Sequence, residues 1–430
     1  MRQLRTSVLL VTLLASSAIA ATADPVLDWN AIAVQTLISQ GQSPFSQARY
    51  MAITQLAVFE AVNAITHDYE PYLGTVGAAA GARADAAAIS AAYHVLKHYF
   101  PAAPLLTGQY FDALAAIPPS QAKEDGITAG INAANAMIAN RDNDGSSPAT
   151  FYMPTSTDPG VWQMTPSCLP PAGPGRGGVN YQWQDIKPFG VPNPGGGHDW
   201  IAAFEPGPPP AITSAQFARD YNEVKRVGNK TASLADRPQD RADVATFYAA
   251  SSPAMIFNSA ARQIAIAKGR SMSQNARSLA LINMASSDAL VASFWTKYHY
   301  QLWRPETAIR AGDTDGNPKT DKDENFVPFI LTPCFPSWPS NHGSGSNSAA
   351  EVLRREFGES GHDLTITNPF VPALAAFTYH YHSFKQITDD IADARVYGGI
   401  HYRFDQDAGG QLGRNVATYV HKNNLRPVHP

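Results

Sequence analysis

The stretch ARSLALINMASSDALVASFWTKYHYQLWRP, residues 276–305, decides the fold. Its apolar residues show no strand-like alternation, and the pattern predicts a helical segment from Ala276 to Trp303. Lys297 and Arg304 stand seven residues apart, close to two full turns, so on a helix both cations point the same way. Pro305 disfavours continuation and places Arg304 near the helix end. Two aligned cations make an anion clamp, although the same spacing also describes a solvated charged face.

Outward from this stretch the pattern stays helical. Leu27, Ala31, Val34 and Ile38 recur at helical spacing before Gly41, and Pro44 opens a second segment through Ile65. Alanine-rich segments follow at Ala84 to Phe100 and Gln121 to Ala139. Patterning resumes near Ser214 and continues through Ala242 to Tyr248, Ser346 to Phe357, Phe377 to Val396 and on to Val420. Between the two sets, glycine and proline are frequent from about Asp142 to Pro210, and segments such as 170–178 and 192–197 cannot hold a helix or a central strand. The predicted fold is therefore mainly α, with two helix bundles joined by a long Gly/Pro-rich connection and the active site in the C-terminal bundle. The boundaries are 24–141 for the N-terminal bundle, 142–212 for the connection and 213–430 for the C-terminal bundle.

Composition narrows the function. With 44% hydrophobic and 16% charged residues the chain is globular, and its formal charge of −4 argues against a nucleic-acid partner. Any anion site must be a local concentration of positive charge. Arg2 and Arg5 precede an apolar run from Ser7 to Ala20, which predicts a signal peptide over 1–23, cut after Ala20 or Ala23. An uncleaved anchor is the other reading of that run. Cleavage would take the net charge to about −6 and give an exported protein, periplasmic or extracellular, without membrane insertion. Cys168 and Cys334 would then sit in an oxidising compartment, and their separation leaves open whether they pair.

Three weaker patterns have simpler explanations. Gly173, Gly175 and Gly178 spell G-x-G-x-x-G, but no strand precedes them. Asn140, Asp142 and Asp144 before Gly145 imitate half a calcium loop without its closing Glu. Asp313, Asp315, Asp321 and Asp323 read more easily as solvated turns around Gly316 and Pro318 than as a calcium site.

Two further segments join Lys297 and Arg304. In FPSWPSNHGSG, residues 335–345, Ser340 or a neighbour can cap a following helix whose free N–H groups attract an anion, and His342 could exchange protons with it. In RVYGGIHYRFD, residues 395–405, Gly398 and Gly399 allow a sharp turn that brings Arg395 and His401 together. Asp405, four residues beyond His401, could on a helix bind the imidazole N–H, fix its tautomer and leave the other nitrogen for a metal or phosphorus. Together the segments describe a pocket for an anion; the resemblance they carry implies a tetrahedral oxyanion, vanadate or phosphate.

These three segments resemble the signature shared by the vanadium-dependent haloperoxidases and the type 2 phosphatidic acid phosphatase superfamily, K-x6-R-P, P-S-G-H and S-R-x3-G-x-H-x3-D. The sequence matches at Lys297, Arg304, Pro305, Pro339, Ser340, His342, Arg395, Gly399, His401 and Asp405. Asn341 stands where the family has Gly and keeps the backbone N–H that contacts the anion there; Ala394 replaces a Ser whose supporting hydrogen bond is expected to be lost.

The resemblance implies vanadate as cofactor and His401 as its metal ligand, with Lys297, Arg304, Ser340, Asn341 and Arg395 binding the oxyanion. His342 acts as acid–base, and a halide is oxidised by hydrogen peroxide through peroxovanadate bound to His401, for transfer to a small organic acceptor. Phe335 matches an aromatic of the fungal chloroperoxidases, and Trp338 could help form an apolar halide pocket; both also read as core aromatics. An exported acid phosphatase would use the same pocket with His401 as phosphohistidine nucleophile, and an inactive oxyanion-binding protein is the third reading. The two-bundle organisation favours the haloperoxidase. Which halide reacts, and whether the chain forms a homo-oligomer, stay open.

Overall fold

The computed structural model describes residues 24–170 and 175–428. The signal-peptide reading of residues 1–23 and Gly173 of the glycine pattern lie outside the described residues, while Gly178 pairs its backbone with Tyr152. Thirteen α-helices and one two-stranded sheet make up the regular structure of the described residues.

The first helical set comprises α1 (Pro25–Ser39), α2 (Pro44–Thr66), α3 (Ala84–Tyr99), α4 (Leu106–Ala115) and α5 (Gln121–Arg141). Proline at the first position and an Asp24 or Ser43 side chain on a backbone N–H start α1 and α2. The second set begins with α6 (Ala215–Val227), α7 (Gln239–Ala249), α8 (Pro253–Ala267) and α9 (Met272–Tyr300). It continues with α10 (Pro305–Arg310), α11 (Asn341–Phe357), α12 (Phe384–Val396) and α13 (Arg403–Asn423). Helix α9 is buried along nearly its whole length, packing on α2 from the first set and on α11 and α13 from the second. One apolar core consequently runs through both sets, from Val26 to Leu425. No described helix is long and apolar enough to cross a membrane.

The connection is irregular but anchored. Asp288 of α9, fully buried, accepts the backbone N–H groups of Phe189, Gly190 and Val191 at 2.6, 2.7 and 3.2 Å. Burial pushes this carboxyl up to about 6 despite those hydrogen bonds. A disulfide joins Cys168 to Cys334, tying the connection to the segment before Phe335. Asp144 is committed to a buried ion pair with Arg49 at 2.8 Å, and Asp315 accepts from the Asn317 N–H and the Thr320 hydroxyl within its own turn.

Four local expectations are corrected. Helix α9 stops at Tyr300, before Trp303, with Gln301 in the left-handed region at φ 51°. The following residues pair with the connection instead, Trp162 N–H to Gln301 carbonyl and Trp303 N–H to Gly160 carbonyl, so Arg304 is extended and caps α10. Second, Phe377 to Val396 is not all helix. β1 (Ser360–Thr367) pairs antiparallel with β2 (Thr378–Ser383) before α12 starts. His362, Leu364 and Ile366 alternate inward along β1, a short period-two pattern that the sequence reading passed over.

Third, α11 starts at Asn341, so His342 lies in its first turn. Fourth, His401 and Asp405 do not share a helix, because α13 begins only at Arg403. Asp405 reaches back from the first turn of α13, its Oδ2 accepting the Tyr402 backbone N–H at 3.2 Å.

Candidate active site

The site forms where five pieces of chain meet: the end of α9, the extended 301–304 segment, the 335–340 loop, the first turn of α11, and the α12–α13 junction. Small residues bring α11 and α13 into close contact. A Cβ at Gly409 would overlap the Ser340 carbonyl and one at Gly413 the Ser344 carbonyl, so the two helix backbones nearly touch. Ser340 caps α11, its Oγ accepting the Gly343 N–H at 3.1 Å, and its own N–H donates to the Asp405 carbonyl. The first turn of α11 is thereby locked to the turn carrying His401.

Lys297, Arg304, Arg395 and His401 are all at most 3% exposed. Lys297 Nζ donates to the carbonyls of Pro336, Ser337 and Pro339 at 3.0, 2.8 and 2.5 Å, so its three protons brace the loop. These three contacts hold the amine beside Arg304 and Asp405. Burial, then the neighbouring Arg304, holds this amine well below its ordinary range.

Arg304 donates through Nε to the Phe335 carbonyl at 2.7 Å, and through Nη1 to the Ile400 carbonyl and His401 Nε2, both at 2.9 Å. Its Nη2 is buried without a partner, as are Nε and Nη2 of Arg395. Burial lowers the two guanidinium groups to about 10 for Arg304 and about 9 for Arg395, so both stay charged at neutral pH. Asp405 is the buried carboxylate that acts on both Lys297 and Arg304, and burial raises it to about 6.

His401 Nδ1 lies 2.7 Å from Asp405 Oδ2, and the Ser337 hydroxyl donates to the same oxygen at 2.6 Å. The carboxylate accepts a hydrogen bond from Nδ1–H, and Nε2 is left as a lone pair facing the guanidinium cluster. Burial and the three cations hold the His401 and His342 imidazoles well below their ordinary range, so both are neutral at pH 7. The pocket is thus a net positive cavity with one imidazole nitrogen held as an acceptor beside Arg304 and several unsatisfied N–H donors. An uncompensated buried donor costs about 1–3 kcal/mol, and several together call for an anionic partner. A tetrahedral oxyanion supplies one. Among the described residues no group of three His, Cys, Asp or Glu gathers as for a bare metal cation, whereas a metal oxyanion held by one imidazole needs no such group.

Phe335 lies under both cations, its ring centre 5.3 Å from Lys297 Nζ and 4.9 Å from the Arg304 guanidinium. Trp338 is a core aromatic: it packs on Phe404, and its indole N–H donates to the Gly207 carbonyl at 3.0 Å. It does not line the cavities beside His342. Those were missed by the sequence reading. One of about 270 Å³ is lined by Gln42, Gln47, Ser251, Ser252, Asn368 and His342, with other residues, and gives small solutes room to reach the imidazole. Pro44 signalled a helix start, and nothing in the sequence said that the starts of α2 and α8 both face His342.

The VCPO second helical-bundle domain matches residues 277–430, the part of the chain that carries Lys297, Arg304, Ser340, His342, Arg395, His401 and Asp405. The vanadium chloroperoxidase of Curvularia inaequalis is 24% identical over 32% of this chain and 29% of its own length, so the match spans under a third of that relative. A bacterial vanadium-dependent iodoperoxidase structure has a TM-score of 0.75 at 23% identity, covering 94% of this chain and 97% of that one. A bacterial vanadium-dependent chloroperoxidase has 0.68 at 17% identity, covering 94% and 95%. At these identities the two structures establish the fold. Residues 277–430 are therefore similar to the VCPO second helical-bundle domain, and the chain as a whole has the helical fold of the vanadium haloperoxidases.

Proposed function

We propose that this protein is a vanadate-dependent haloperoxidase that oxidises a halide with hydrogen peroxide to hypohalous acid. The observation that carries the reading is the grouping of partnerless Arg304 and Arg395 donors around His401, whose Nε2 lone pair is exposed to them. Fold likeness across both helical sets supports the peroxidase over a phosphatase, because it extends well beyond the motif-bearing segment.

Arg304, Arg395 and the first-turn N–H groups of α11 would hold the vanadate, with His401 Nε2 as its protein ligand. Bound vanadate supplies Lewis-acid polarisation of hydrogen peroxide without a change of oxidation state. Asp405 retains the proton on His401 Nδ1, which keeps Nε2 available. Arg304 would offer the anion its unpartnered Nη2 and, with Nε2 engaged, its Nη1. Lys297 fixes the 335–340 loop and adds positive charge. His342 is neutral at pH 7 and stands at the first turn of α11, where it would accept a proton from hydrogen peroxide and could return it to a leaving oxygen. The overall reaction, halide plus hydrogen peroxide plus one proton giving hypohalous acid and water, consumes that proton. Export to an oxidising compartment fits the Cys168–Cys334 disulfide, and a small organic acceptor outside the pocket would take up the hypohalous acid.

The test is a phosphoenzyme trap beside a vanadate titration. Phosphate-free protein is expected to bind orthovanadate and to form no acid-labile phosphohistidine when mixed with a labelled phosphomonoester. Phosphohistidine at His401 would replace this reading with that of a phosphatase.

A further inference from the structure

Three helices begin at one small cavity. Pro44, Phe45 and Ala48 from the first turns of α2, Pro253 and Ala254 from the start of α8, and Asn341 and His342 from the start of α11 all line it. Ser286, Leu290 and Gly345 complete the wall. The cavity measures about 10 Å³, room for one water-sized particle or a monatomic ion. None of Lys297, Arg304, Arg395 or His401 lines it, so it lies beside the oxyanion pocket, with Asn341 and His342 forming the partition.

Asn341 is 4% exposed, and its carboxamide is oriented. The Ser293 hydroxyl of α9 donates to Asn341 Oδ1 at 2.6 Å, which leaves the amide Nδ2 buried with no partner. A Gly at this position would offer no such donor. Apart from Ser286 and His342 the wall is otherwise apolar, and three helix N-termini place their positive ends around it.

We infer that this cavity is the halide subsite and that Asn341 is its specificity-determining residue, the carboxamide N–H holding the ion beside His342. The inference rests on the haloperoxidase reading and adds to it the place from which the halide reacts. One N–H donor and apolar walls cannot replace a full hydration shell, so the subsite favours the weakly hydrated bromide over chloride.

The test combines a bromide soak of crystals, read by anomalous scattering, with steady-state bromination by the vanadate-loaded protein and by Asn341→Gly and Asn341→Leu. The expected result is a bromide peak within hydrogen-bond distance of Asn341 Nδ2, absent in both variants. The KM for bromide should rise at least about tenfold, and the KM for hydrogen peroxide should change much less. A bromide peak elsewhere, or one that persists in both variants, overturns the subsite, as does an equal rise in the two KM values. A brominating protein whose cavity holds only water also overturns it and leaves the haloperoxidase reading intact. Bromide at Asn341 in a protein that does not brominate upholds the subsite and removes that reading.

Discussion

The imidazole of His401 is held by Asp405 across a 2.7 Å contact although neither residue lies in the same helical turn. One precedes α13 and the other closes its first turn, so the cap geometry that starts the helix also sets the tautomer of the imidazole. A structural and a chemical task fall on one carboxylate.

Asp405→Asn should therefore damage the site more than the fold. We expect vanadate affinity to fall about 10–100-fold, the usual cost of losing the group that orients a ligating histidine. Titration of phosphate-free protein with orthovanadate, followed by ⁵¹V NMR, checks this. Unchanged affinity would mean that Asp405 serves only as a helix cap.

Arg395→Lys keeps a positive charge and removes the guanidinium fork. Arg395 has two buried N–H groups without partners, which a single ammonium cannot reproduce. Vanadate affinity should drop by about tenfold or more, and Arg395→Ala should drop it further. The same titration compares the two variants; equal affinities for Lys and Ala would show that the fork geometry is irrelevant.

Gly399 has φ +80°, and a Cβ there would overlap the Gly228 carbonyl and crowd Pro328. Gly399→Ala should destabilise the protein by about 1–3 kcal/mol and displace His401. Chemical denaturation, with vanadate binding measured on the folded fraction, checks both effects.

Glu356 links Arg277, Ser278, Arg270 and His421 at 2.6, 2.8, 3.0 and 2.9 Å. Burial alone would raise its pKa, but hydrogen bonding to His421 and the charge of Arg277 hold it down to about 2. A depressed carboxylate stabilises the fold above the unfolded pKa near 4.5, and that stability is lost as pH falls toward 2. Glu356→Gln should cost roughly 2–3 kcal/mol at pH 7 and much less at pH 3, as urea denaturation at both values would show.

Much of this was legible in the sequence because the residues that meet in the pocket come in three short segments. A helix start was readable at Pro44, and Ser340 was recognisable as a cap. The end of α9 was not, because Gln301 is turned left-handed by pairing of Val161 with Leu302, a contact across the connection. The same holds for the donors of Lys297, which depend on the path of the 335–340 loop. Phe45, Ser293 and Ser337 are ordinary helix and loop residues in the sequence. Only the packing of α2 and α11 on α9, and the path of the 335–340 loop, give them places beside the site. The pairing of Cys168 with Cys334 is likewise a matter of tertiary proximity.

The measurement that bears most directly on the account is bromination of an organic acceptor by phosphate-free protein with bromide and hydrogen peroxide, with and without orthovanadate. The account predicts bromination only when vanadate is present, and its loss in His401→Ala. No bromination, together with phosphomonoester hydrolysis that vanadate inhibits, would contradict it.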